Sequence, residues 1–146
     1  MSSTKTGISA ETLDIAAAIM TASDPSCGAV ASFIGTVRES AAVPANAAKA
    51  VTMLEYEAHP TLAASRMEEI AQEAVTKWGL ERVVAVHRTG RCPLGEPTVV
   101  VACGAAHRAE ALEACHWVID EIKASVPIWK KEIYADGSSW VGSETG

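Results

Sequence analysis

The stretch RVVAVHRTGRCPLGEPTVVVACGAAHRAEALEACHWVIDEIKA (Arg82–Ala124) sets the fold class. Arg82–His87 and Thr98–Cys103 are short apolar runs that read as strands, and Gly90–Pro97 between them is rich in turn residues. From about Arg108 to Ala124 the pattern becomes helical, with Leu112, Cys115, Ile119 and Ile122 inward. That helix ends before Val126-Pro127, because a proline disfavours helical geometry in the residue before it. Upstream, Pro60–Trp78 is the clearest helix. Proline suits its first position, Ala63, Met67, Ile70, Ala74 and Trp78 form one stripe, and Gly79 supplies a stop. A shorter helix is expected over Glu11–Met20, capped near Ser9 and stopped before Asp24-Pro25. Gly28–Val37, Val51–Glu57 and Ile128–Tyr134 read as further strands, with Asp136-Gly137 a turn. In Val51–Glu57, alternation puts Val51, Met53 and Glu55 on one face and Leu54 and Tyr56 on the other. Glu39–Lys49 is Ala-rich and proline-broken, and reads as a mobile loop. Paired strands alternating with helices predict an α+β fold with a largely antiparallel sheet and flanking helices, in a single domain spanning 1–146.

The formal net charge of -6 argues against general nucleic-acid binding. The charge is unevenly placed. Arg82–Lys131 holds seven Lys/Arg against five Asp/Glu, a local excess of cations on an acidic chain. Such a patch suits a small anionic ligand better than a polymer. No apolar run approaches the roughly 20 residues that span a bilayer, and Met1–Ile8 lacks an apolar signal region, so a cytoplasmic location and no membrane partner are expected. Cys27, Cys92, Cys103 and Cys115 show no C-x-x-C spacing, so they read as reduced thiols with no metal site.

Three segments carry candidate chemistry. In Ala106-His107-Arg108-Ala109 a strand gives way to a helix, and the open N–H groups and positive dipole end of that helix favour an anion. A cation in the first turn opposes the dipole; either a bound anion or a pairing with Glu110 or Glu113 would account for Arg108. In KASVPIWKKE (123–132), Lys123 falls in a helix's last turn, where a cation is favoured. Lys130 follows Pro-Ile-Trp, a segment apolar enough to desolvate it and fit it for proton transfer or attack; two snorkelling surface lysines are the alternative. In FIGTVRE (33–39), Arg38 ends a strand and opens the loop, and Gly35 hints at a bulge. Other arrangements fail. Cys115 and His116 are helix neighbours pointing about 100° apart, which excludes a dyad. His59 reads as a helix-entry residue, and the four tryptophans as core or interface.

Together FIGTVR (33–38), LEYEAHP (54–60), VVAVHRTG (83–90), AAHRA (105–109) and KASVPIWKKE (123–132) resemble the large subunit of molybdopterin synthase. The resemblance runs from about Cys27 to Val141. It implies an α/β hammerhead fold and a sulfurtransferase without a bound cofactor. It also implies a homodimer within a heterotetramer, each large subunit taking the Gly-Gly thiocarboxylate tail of a small ubiquitin-like sulfur carrier. By the same resemblance, Arg38, His107 and Arg108 hold the phosphate and pterin of cyclic pyranopterin monophosphate. Lys123 lies beside the tail and Lys130 beside the reacting carbons. Family members usually continue past Val141 with a basic tail that reaches the neighbouring protomer. Residues 142–146 contain no basic residue, so the phosphate is expected to rest on Arg38, His107 and Arg108 of one protomer. A non-catalytic module binding a phosphorylated metabolite through the same Arg/His cluster, or a structural subunit docking another chain by a sheet edge, are the alternatives.

Overall fold

Pro97–Ala105 is buried almost throughout because both of its faces are covered. The computed structural model describes residues 3–41, 46 and 48–143. Its elements run β1 (Thr4–Ser9), α1 (Ile15–Ala22), β2 (Ala29–Thr36), β3 (Val51–Ala58), α2 (Leu62–Trp78), β4 (Arg82–Arg88), β5 (Gly90–Pro93), β6 (Pro97–Ala105), α3 (Arg108–Ser125), β7 (Ile128–Tyr134) and β8 (Ser139–Ser143). One sheet has the order β1-β4-β6-β2 and the other β5-β3-β7-β8. Every pairing is antiparallel except β1 with β4.

The period-2 geometry of β6 divides its side chains between two layers. Val99, Val101 and Cys103 join the main core with Met67, Ile70 and Ala74 of α2 and Val118 and Ile122 of α3. Val100 and Ala102 meet Leu13, Ala18 and Ala22 at α1. The second sheet adds Val51, Leu54, Cys92, Ile128 and Tyr134 to the same main core.

The α+β class and the α2 stripe are as the sequence indicates: Ala63, Met67, Ile70 and Ala74 are fully buried, and Gly79 closes the helix at φ 63°. Several details differ. There are two sheets, not one, and β1, β5 and β8 are additional strands. Helix α1 begins at Ile15 rather than Glu11, because the Asp14 carboxylate accepts the Ala17 N–H at 3.0 Å and caps it there. Leu112 is exposed on α3, whose inward stripe is Ala111, Ala114, Cys115, Val118 and Ile122. On β3 a register shift between Val51 and Met53 returns Val51 to the buried side with Leu54 and Tyr56, against simple alternation. Of the loop predicted at 39–49, residues 42–45 and 47 lie outside the described residues. Its ends are tied: Ser40 bridges Ala50, and the Lys49 ammonium donates to Ser138 Oγ at 2.9 Å.

β1 is polar, TKTGIS, and its threonines have a structural use. Thr4 and Thr6 donate to the Glu68 carboxylate of α2 at 2.8 and 2.7 Å, and Gln72 adds a third bond at 2.8 Å. Burial opposes the charge, but the bonds from Gln72, Thr6 and Thr4 outweigh it and hold the Glu68 carboxyl below its ordinary value of 4.5. A carboxylate with a depressed folded-state pKa stabilises the fold above its unfolded value, and that contribution fades as pH falls through the folded value. Glu68→Gln is therefore expected to lower Tm by about 1–3 °C at neutral pH, a small effect because the site is partly solvated. The difference should close below about pH 4, as thermal melts across pH will show.

Candidate active site

Strand β7 presents Ile128, Lys130, Glu132 and Tyr134 to one side, since alternate residues share a face. Ile128, Glu132 and Tyr134 are buried and Lys130 is half-buried. Lys130 sits opposite Tyr56 of β3, and Glu132 opposite Leu54. Helix α3 delivers Lys123 from its last turn, before Val126 closes the helix with its N–H on the Ile122 carbonyl.

Arg38 arrives from the other sheet. The β2–β6 register shifts between Gly35 and Thr36, the bulge that Gly35 suggested, and a Cβ at Gly35 would come within 2.8 Å of Val99 Cγ1. Val37 then exchanges backbone hydrogen bonds with the β5–β6 turn, its N–H donating to the Glu96 carbonyl and its carbonyl accepting from Gly95. That turn is held by a buried ion pair between Arg88 and Glu96, with Thr12 adding a bond to Glu96 at 2.9 Å. Arg88 is thus consumed by structure, and Arg91 pairs with Glu55 at 3.1 Å. Two of the seven clustered cations therefore do not serve an anion site.

Arg38, Lys123 and Lys130 converge on one cavity of about 430 Å³, with Glu132 in its wall. Lys130 and Tyr56 also border a neighbouring cavity of about 490 Å³ with Trp129 and Val141, and Lys123 borders one of about 410 Å³ with Phe33 and Ile119. Each lysine thus lines the central cavity and a different neighbouring one. Tyr56 is backed by His87, edge-on at 4.9 Å between ring centres, and His87 Nδ1–H donates to the Arg88 carbonyl at 2.7 Å.

His107 and Arg108 are not in this cavity. They are the N-cap and first residue of α3, exposed, while Lys123 is near its other end. The helical rise of 1.5 Å per residue puts them about 22 Å apart along the axis. The expectation that one protomer gathers Arg38, His107 and Arg108 around a phosphate is therefore corrected: a helix cannot bring its two ends together. Among the described residues the pairing of Arg108 with Glu113 is also not found; Glu113 accepts from Trp78 Nε1 at 3.2 Å. Glycine at 28 permits the tight entry to this end, since a Cβ there would lie 2.4 Å from the Ala106 carbonyl oxygen.

The remaining candidates fall as read. His59 Nδ1 accepts the Leu62 N–H at 3.1 Å at the entry to α2. All four cysteines are free, and Cys103, hydrogen-bonded with Cys115 and buried, is pushed far up and stays a thiol. No group of His, Cys, Asp and Glu among the described residues could hold a metal ion. The buried Glu132 and Tyr134 were missed as site residues, although their i, i+2, i+4 spacing from Lys130 on a predicted strand marks them.

The model of the MoaE protein family matches residues 8–125. The chain belongs to the MoaE family. It is 47% identical over 128 residues to the molybdopterin synthase catalytic subunit of Oryza sativa subsp. indica, an alignment covering 88% of this chain and 64% of that protein. The corresponding subunit of Halalkalibacterium halodurans is 42% identical over 120 residues, covering 82% of this chain and 74% of that one. The chain thus spans less than two thirds of the plant relative's length. Among solved structures, molybdopterin synthase from Staphylococcus aureus superposes with a TM-score of 0.83 at 32% identity, covering 93% of this chain and 95% of that one. The α/β hammerhead expected from the sequence is this shared MoaE-family arrangement. Arg38, His107, Arg108 and Lys123 fall inside the matched family region, and Lys130 five residues beyond it.

Proposed function

We propose that this MoaE-family chain is the catalytic subunit of a molybdopterin synthase, a sulfurtransferase acting on cyclic pyranopterin monophosphate. Each of two transfers exchanges a carbon–oxygen bond of the substrate for carbon–sulfur, and leaves the sulfur carrier's thiocarboxylate as an ordinary carboxylate. The observation that carries this reading is the convergence of Arg38, Lys123 and Lys130 on one cavity, three cations from three different elements. Cations so arranged bind an anionic substrate and stabilise charge that develops as a carbon–oxygen bond breaks. Lys123 lies beside the carrier's inserted Gly-Gly tail, and Lys130 beside the reacting carbons, where an ammonium group can give its proton to the departing oxygen.

Arg38 binds the phosphate and pterin together with His107 and Arg108, which a second copy supplies. The roughly 22 Å between Arg108 and Lys123 along α3 supports a second copy as their source. The assembly is a homodimer of this chain carrying two small ubiquitin-like subunits, in the cytoplasm, with the chain acting as one domain. Among the described residues no helix is long and apolar enough to cross a membrane.

The test is dithiolene formation by the purified chain with a thiocarboxylated partner and the pterin precursor. Binding of the precursor without sulfur transfer would favour the non-catalytic module instead. Insertion of an anionic tail among cations also makes partner association salt-sensitive. Affinity for the small subunit is expected to fall about tenfold or more between low and high ionic strength in calorimetric titration. Unchanged affinity would mean that apolar contacts alone hold the tail.

A further inference from the structure

The acidic member of the central cavity is the least explained by the proposed chemistry. Glu132 is only 3% exposed, yet it faces a cavity whose other charged side chains are all cations. Burying a carboxylate is costly unless hydrogen bonds and charges compensate it. Tyr134, two residues along on the same face of β7, donates its phenol O–H to Glu132 Oε1 at 2.8 Å. The Asn46 side-chain amide in turn donates to the phenol oxygen at 3.0 Å. A phenol has one proton and accepts through its lone pairs. With Asn46 occupying a lone pair, the proton of Tyr134 is committed to Glu132. Lys49 stands 5.3 Å over the Tyr134 ring, and is itself held by Ser138 and by Asp136 at 3.5 Å. The ring is thus held by its burial, and the direction of its hydroxyl by Asn46.

We propose that Tyr134 is a positioning residue of this site, acting through Glu132 to fix the carboxylate that orients Lys123 and Lys130. The inference rests on the reading of the cavity as the sulfur-transfer site. A donor to the ionised form of a carboxylate favours that form and one rotamer. Burial, then the Glu132 carboxylate, push the Tyr134 phenol up, so it remains a donor throughout the working pH range. The groups facing Glu132 are Lys130 and Tyr134 on β7, Lys123 on α3, Arg38 beyond β2, and Tyr56 on β3. Four of these five favour its charge, three as cations and one as donor. Tyr134 donates to Glu132 Oε1 from a direction that its own acceptance from Asn46 fixes.

Tyr134→Phe removes the hydroxyl alone and leaves the packed ring. The carboxyl carbon of Glu132, followed by NMR at one fixed pH in the full chain with labelled glutamate, is expected to shift in Tyr134→Phe relative to the parent, as its bonded orientation is lost. With partner and precursor, kcat should fall about tenfold, the low end of losing a hydrogen bond to a charged group, while KM stays within about twofold. In a Glu132→Gln background the added Tyr134→Phe change should cost less than about twofold, since its route is gone. An unmoved Glu132 carboxyl signal in Tyr134→Phe overturns the inference. Failure of the underlying reading looks different: Lys130→Ala would turn over normally, and the carboxyl signal would still report on the Tyr134–Glu132 link.

Discussion

Lys130→Ala is expected to lower turnover by about 10²–10⁴, the usual cost of removing a positioned acid or base. The side chain is half-buried on β7 between two cavities, and its neighbours Ile128, Glu132 and Tyr134 hold the strand without it. The variant should therefore melt within a few degrees of the parent. Lys123→Ala, in the lining of the same central cavity, is expected to behave similarly. Lys130→Arg separates two causes of the loss. A guanidinium keeps the positive charge but does not give up a proton near neutral pH. Turnover recovered by arginine would mean that Lys130 acts by charge alone; continued inactivity supports proton transfer. Near-normal rates in both alanine variants would remove the lysines from the chemistry.

The second large effect concerns how the site is completed. Arg108→Ala should weaken precursor binding by about 10–100-fold, the range for losing a hydrogen bond to a charged group. This residue lies about 22 Å along α3 from Lys123, so on the proposed reading its contribution comes from another copy. Mixing is the direct measurement. Lys130→Ala and Arg108→Ala chains, each defective alone, are combined after dissociation. A twofold dimer of unlike chains contains one site with both defects and one with neither. Random reassociation should then restore about a quarter of the parental sites. If the mixture is no more active than its components, the two ends of the helix do not share a site, and the role assigned to His107 and Arg108 is wrong.

The sequence was a good guide wherever burial was one-sided and regular. The α2 stripe from Ala63 to Ala74, the α3 limits and the β7 strand follow from period alone, since each has a single face toward the core. It was a poor guide where a local device reset the period or where polar residues were used structurally. The bulge at Val51–Met53 moves Val51 to the other face, and no residue there announces it. β1 looks like a solvated segment because its Thr4 and Thr6 serve Glu68 instead of packing apolar surface. The cationic cluster was counted correctly but overvalued, because Arg88 and Arg91 are occupied by Glu96 and Glu55. The separation of Arg108 from Lys123 was implicit in the predicted helix itself: a helix over 108–124 already separates its ends by more than 20 Å at ~1.5 Å per residue. Motif order along a chain says which residues belong to a site, and not which copy supplies them.

The parallel pairing of β1 with β4 has a bearing on biosynthesis. Thr4 lies against Val83, so this strand has no partner until some eighty further residues have been made. At about 5–20 residues per second that is a wait of roughly 4–16 s, during which an apolar strand would be an invitation to mispair. The sequence TKTG is suited to that interval, because a lysine and two threonines remain hydrated until α2 and β4 have been made. The same hydroxyls that wait in water then find Glu68, so the edge strand is added to a sheet already laid down from β4, β6 and β2.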